Sequence, residues 1–125
     1  MTKPLNPVAY FEIPVTDMER AQNFYSKLLD VDFEMIEVHG NQMALFPFHE
    51  GNKGISGALA KGDIYKPSLQ GSLVYFNVND IDLTLKKAVA LNAEILFPKT
   101  KAENFGYVAE IKDCEGNRIA FYQSF

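Results

Sequence analysis

The chain has one cysteine, no tryptophan and two histidines, His39 and His49. A lone cysteine, Cys114, excludes a disulfide framework, and a reducing compartment is the simple reading. No apolar run reaches the roughly 20 residues that a membrane helix needs, so no membrane partner is expected. The start, "MTKPLNP", has no apolar region of the kind a secretory signal carries, and the expectation is a cytoplasmic protein. Basic residues are outnumbered 12 to 16, for a net charge of −4, which argues against nucleic acid, since phosphate binding needs a basic face. A neutral or cationic small molecule suits that balance better. There is no Ser-His-Asp order, phosphate loop or dinucleotide loop. The glycines of "GISGALAKG" read instead as places where a strand bends or a ligand approaches.

What the chain does have is apolar patterning. Residues 8–15 alternate as a strand does. Thr16 and Asp17 offer helix-cap oxygens, and Thr16 with Glu19 fits a capping box. Met18, Ala21, Phe24, Tyr25, Leu28 and Leu29 then form one stripe at helical spacing. "FEMIEV" and "QMALFPF" read as a hairpin around His39-Gly40-Asn41, with Gly-Asn supplying positive φ. "ISGALA" reads as a fourth strand. Residues 63–71 carry Pro67, have no period and read as a linker.

The second half repeats that order. "SLVYFNV" leads to Asp80, which caps a helix carrying Ile81, Leu85, Ala88 and Leu91 on one face. "AEILF" is a short strand expected to end at Pro98. "NFGYVAEIK" and "NRIAFYQSF" form a last hairpin around Asp113-Cys114-Glu115-Gly116. Asp17 and Asp80 are 63 residues apart, and Val15 meets Val78, as Met18 meets Ile81, at that offset. One domain built from two such units is therefore expected, 8–62 and 72–125, each too short to bury a core alone.

"FEIPVTDMERAQNFYSKLL" and "GYVAEIKDCEGNRIAFYQ" resemble the vicinal oxygen chelate superfamily, which includes glyoxalase I, extradiol dioxygenases and the bleomycin resistance proteins. The resemblance runs from about Val8 to Gln123. It implies an α+β fold of two βαβββ units whose curved sheets surround a cleft, with the helices outside, and a homodimer. Metal-dependent members carry a His or Glu on the first strand of each unit and a Glu on the last strand. By the resemblance those places fall here on Tyr10, Leu73 and Ala120, with a fourth near Met43 to Phe46. Leu and Ala cannot bind a metal, and a neutral Tyr is a poor ligand, so no metal or other cofactor is expected. A relocated site using Glu12 and His49 is the alternative.

If the family register holds, the cleft is lined by Tyr10, Glu12, Leu73, Tyr75, Asn77, Tyr107, Arg118, Ala120 and Tyr122, with Ala109 facing the same way. Such an aromatic lining with few polar groups suits a small-molecule ligand. Glu12 is the informative member. It can hold a ligand, act as the general base of a lyase or isomerase, or pair with Arg118 and only close the structure. Cys114 lies between Asp113 and Glu115, whose charges disfavour a thiolate.

Overall fold

Two aspartates set the frame. Asp17 caps α1 (Met18–Leu29), its carboxylate accepting the Arg20 N–H at 3.0 Å. Asp80 caps α2 (Ile81–Ala90) in the same way, accepting the Leu83 N–H at 3.2 Å. Each short side chain satisfies an N–H that the first helical turn leaves open. The expected Thr16–Glu19 box is displaced: the cap is Asp17, and the Thr16 hydroxyl donates to Glu115 at 2.8 Å.

The computed structural model describes residues 5–125. Its strands are β1 (Phe11–Pro14), β2 (Glu34–Val38), β3 (Asn41–Leu45), β4 (Gly57–Lys61), β5 (Val74–Asn77), β6 (Glu94–Ala102), β7 (Gly106–Lys112) and β8 (Arg118–Ser124). The order βαβββ thus occurs twice. The strands form two open four-stranded mixed sheets, β1-β4-β3-β2 and β5-β8-β7-β6. In each, the first strand pairs in parallel with the last, and the remaining pairs are antiparallel. Among the described residues no helix is long and apolar enough to cross a membrane.

Two local expectations are corrected. The β2–β3 turn takes its positive φ at His39 and Gly40, and Asn41 already opens β3. Positive φ at both central residues matches the right-handed twist of the flanking strands. The strand expected to stop at Pro98 runs on to Ala102, with register shifts between Ile95 and Phe97 and between Phe97 and Thr100. Pro98 is tolerated because β6 is an edge strand, and its missing N–H falls at an irregularity of the ladder.

The apolar stripes of both helices meet in one core. Met18, Ala21, Phe24, Tyr25 and Leu28 of α1 are buried, as are Ile81 and Ala88 of α2. Phe46 sits at the aromatic centre, its ring 5.6 Å from Phe76, 5.7 Å from Phe11 and 5.9 Å from Tyr25. These separations suit tilted and edge-on packing. Because Phe76 belongs to the second unit and Phe11 to the first, neither unit has a complete core without the other.

A polar latch reinforces that junction. Asp113, only 4% exposed, accepts the Glu115 and Asn117 N–H groups at 2.8 Å, the Tyr25 hydroxyl at 2.5 Å and the Asn117 amide at 3.2 Å. A buried carboxylate persists only when its oxygens are satisfied in this way. Asn117 also donates to the Pro14 carbonyl at 2.7 Å, and its side-chain oxygen accepts the Ser68 N–H at 3.1 Å. Two residues before Asn117, Glu115 accepts from the Thr16 N–H and hydroxyl and from the Arg20 guanidinium.

Burial alone would raise the Glu115 pKa, but the Thr16 N–H, the Arg20 guanidinium and the Thr16 hydroxyl together hold it below the ordinary carboxylate value of 4.5. The folded state therefore binds fewer protons than the unfolded chain near that value. The stabilisation is fully present above it and is lost as the pH falls through the folded-state pKa. Glu115→Gln should lower stability at neutral pH by about 1.5–3 kcal/mol, the range for hydrogen bonds to a charged group. The gap to the wild type should narrow as an acid pH is reached below the folded-state pKa, which lies under 4.5. Urea unfolding midpoints of both proteins at the two pH values check this, and a gap that does not change with pH counts against it.

Candidate functional site

Strand alternation divides β1 between two environments. Phe11 and Ile13 pack into the core, while Tyr10 and Glu12 lie on the opposite face. There Glu12 stands beside Ala58, which stands beside Leu45, and Pro14 stands beside Ala60, which stands beside Met43. Ala58, Ala60 and Met43 are buried, with Leu45 and Tyr65 packed on them. Alanine at both β4 positions leaves a shallow recess, and the Tyr65 ring sits against it.

Tyr65 arrives there from a tight turn directly after β4, its N–H donating to the Gly62 carbonyl at 3.1 Å. Its hydroxyl donates to one oxygen of Glu12 at 2.8 Å. The Tyr10 hydroxyl donates to the other at 3.0 Å. The Tyr10 pKa is pushed up to about 12, first by burial and then by this hydrogen bond. The Tyr65 pKa is raised chiefly by its bond to Glu12. Both phenols thus remain O–H donors at neutral pH. The result is an exposed carboxylate held by two phenols at the rim of an apolar recess.

The nine residues expected to share one cleft are not all brought together. Arg118 does not pair with Glu12: its Nε donates to Glu110 at 2.6 Å. Glu110 faces Ala120 across the β7–β8 ladder, which puts it diagonal to Arg118 on one face. Glu12 and Arg118 do line the same small pocket, of about 200 Å³, together with Ser68, Ser72 and Asn117. Leu73, Tyr75 and Asn77 line a different and larger cleft of about 870 Å³, between the end of α1, the β3–β4 loop and the start of α2. Ala120 is completely buried rather than open to a ligand. The Tyr122 hydroxyl is committed to the Phe105 carbonyl at 2.5 Å. Tyr107 and Ala109 lie on the other face of β7, with the core. The Tyr107 ring packs against Phe125 at 5.4 Å and beneath the Lys99 ammonium at 4.7 Å. The cause of this division is topological: β1 and β5 are both terminal strands of separate sheets, with no ladder between them.

The donor set does not fit a metal. Glu12 faces Ala58 in the first sheet, and Tyr75 faces Ala120 in the second. Ala58 is therefore the counterpart of Ala120, and the fourth expected ligand position belongs to it rather than to Met43–Phe46. Tyr10, Ala58, Leu73 and Ala120 together provide one phenol and three hydrocarbon side chains. Among the described residues no three His, Cys, Asp or Glu side chains are grouped to hold an ion. His49 lines the large cleft and Glu12 the small pocket, so the relocated pair is not assembled either. The Cys114 thiol is pushed up to about 12, first by burial and then by the charges of Asp113 and Glu115, which removes it as a nucleophile.

Tyr65 was not legible as a site residue, because it lies in a stretch without period. The only signal was the Gly62-Asp63 pair, a turn step that folds the chain back over the strand it has just left.

A family model described as the Glyoxalase/Bleomycin resistance protein/Dioxygenase superfamily matches residues 7–121. No curated protein matches the chain. Solved structures do. A glyoxylase/bleomycin resistance protein/dioxygenase domain from Frankia sp. EAN1pec is 17% identical, with a TM-score of 0.75, over 98% of this chain and 100% of the other. TnmS3, an antibiotic binding protein from Streptomyces sp. CB03234, is 22% identical, with a TM-score of 0.66, over 99% of this chain and 100% of the other. A genomically encoded fosfomycin resistance protein from Listeria monocytogenes is 12% identical, with a TM-score of 0.71, over 100% of this chain and 94% of the other. At these identities the likeness is one of fold.

Removing the shared acceptor tests the geometry around Glu12. In Glu12→Gln, Tyr65 should titrate nearer the ordinary value of 10, and Tyr10 should fall only part of the way from about 12, because burial still acts on it. An ultraviolet phenolate titration reads both changes. Superimposable wild-type and variant curves would show that the two phenols do not bond to Glu12 in solution.

Proposed function

The chain belongs to the Glyoxalase/Bleomycin resistance protein/Dioxygenase superfamily, and from that premise we propose that it is a metal-independent binding protein for a small aromatic or cationic molecule. The observation that carries this reading is the Glu12 carboxylate, held by Tyr10 and Tyr65 at the edge of the Ala58–Ala60–Met43 recess. A carboxylate fixed in position attracts a cation or an O–H or N–H donor, and an apolar recess beside it holds a hydrocarbon or ring. The net charge of −4 favours the approach of a cation.

Use of Glu12 as a general base fits less well. Both of its oxygens already accept hydrogen bonds, so a phenol must leave before a substrate proton can be taken. The one phenol and three hydrocarbon side chains at the family's metal positions are a poor donor set for the metal ion that acts as Lewis acid in that chemistry.

We also infer a homodimer. Met35, Ile36 and Val38 on β2, and Ile95 and Phe97 on β6, are exposed, and so are Phe105 and Phe125 near the end of the second sheet. Apolar surface on both outer strands suits burial against a second copy.

In a thermal-shift screen of aromatic amines and phenols, a binder should raise the melting temperature equally with and without a chelator. Glu12→Gln should weaken that binder about tenfold, or about 1.4 kcal/mol. Stoichiometric divalent metal in the purified protein, with binding lost on chelation, would overturn the metal-independent reading. Light scattering should give twice the 14.1 kDa chain mass, and a monomer at micromolar concentration would remove the dimer.

A further inference from the structure

Tyr65 is a tyrosine side chain bound by its own protein. Its ring lies on Met43, Ala58 and Ala60, and its hydroxyl donates to Glu12 at 2.8 Å. On the 62–65 turn Gly62 packs against the Asn41 side chain, Asp63 and Ile64 are exposed, and the turn is closed by the Tyr65 N–H on the Gly62 carbonyl. The chain therefore displays, within one molecule, a phenol seated in a recess with its donor on a carboxylate.

We propose that Tyr65 occupies the ligand's place, and that the ligand class is an aromatic ring carrying one O–H or N–H donor, which enters when Tyr65 swings out. The inference rests on the binding function proposed above and narrows it. Three features of the recess support it. Its floor is made of two alanines and a methionine, an apolar surface on which the Tyr65 side chain is packed. The charged acceptor beside Tyr65 is Glu12, whose second oxygen is fixed by Tyr10 at 3.0 Å, so the carboxylate stays oriented after Tyr65 leaves. Tyr65 itself is half-buried and borne on a loop of exposed residues, which makes its departure a local rearrangement rather than an unfolding. A ligand must compete with a tethered group present at high effective concentration, so removing that group raises the affinity for any mimic of it.

The experiment uses 4-methylphenol, which is the tyrosine side chain itself. Tyr65→Ala should bind it saturably in a thermal-shift or calorimetric titration, at least tenfold tighter than the wild type. Tyr65→Ala combined with Glu12→Gln should lose most of that gain. Toluene, which has the ring without the donor, should bind Tyr65→Ala more weakly than 4-methylphenol. If Tyr65→Ala does not fold, Tyr65→Ser, which keeps a polar group at this half-exposed position, gives the same reading. Equal affinity of wild type and variant would place the phenol elsewhere and overturn the proposal, as would a folded variant that binds no phenol or one whose binding ignores Glu12. The two readings fail separately. A Glu12-dependent ligand of the wild type, combined with no phenol entry into Tyr65→Ala, removes only the mimicry. Phenol entry into Tyr65→Ala that Glu12 controls, with no binder found for the wild type, leaves the recess intact and removes only the broader function.

Discussion

The buried carboxylate of Asp113 is the constraint on which the rest depends. It gathers two backbone N–H groups of its own turn, the Tyr25 hydroxyl from α1 and the amide of Asn117. Asn117 in turn holds the end of β1 through Pro14 and the linker through Ser68. One satisfied charge thus fixes the seam between the two units and the two segments that present Glu12 and Tyr65. Removing a partner from such a group leaves a desolvated charge unpaired, which costs far more than the bond itself contributes. A substitution at the seam would therefore be felt at the recess, since Asn117 and its partners Pro14 and Ser68 line the pocket beside Glu12.

The two halves use the same architecture unequally. From α1, Arg20 and Tyr25 reach the β7–β8 turn and close the gap to it. Sixty-three residues later those places hold Leu83 and Ala88, and the facing β3–β4 loop leaves the large cleft open. Pseudo-symmetric folding needs only the cap, the stripe and the strand order. The side chains that fill the space between the units are free to differ, and here they make one side a closed latch and the other a trough.

Much of this was legible in the sequence, for stated physical reasons. Asp80 as a cap, the α1 stripe and the placing of Glu12 opposite Phe11 and Ile13 follow from short-range geometry and alternation, which depend on few partners. Most of the failures turn on partners that a local reading of the chain does not show. Thr16 reads as a cap until Glu115, 99 residues away, claims its hydroxyl. Arg118 reads as a partner for Glu12 until the β7–β8 register puts Glu110 beside it. Tyr107 reads as cleft-facing until the β7–β8 register, with Glu110 opposite Ala120, puts it beside Ala109 on the core face. Pro98 reads as a strand end, and it is tolerated only because the ladder around it is irregular and its strand has no further neighbour.

The position of Cys114 also decides how the protein meets oxidants. With its thiol pushed up to about 12, little of it is thiolate at neutral pH, and the thiolate is the form that reacts with peroxides, disulfides and electrophiles. The chain has no other cysteine. Its thiol is held back while the seam is closed, first by burial there and then by the charges of the acidic turn that joins the two units.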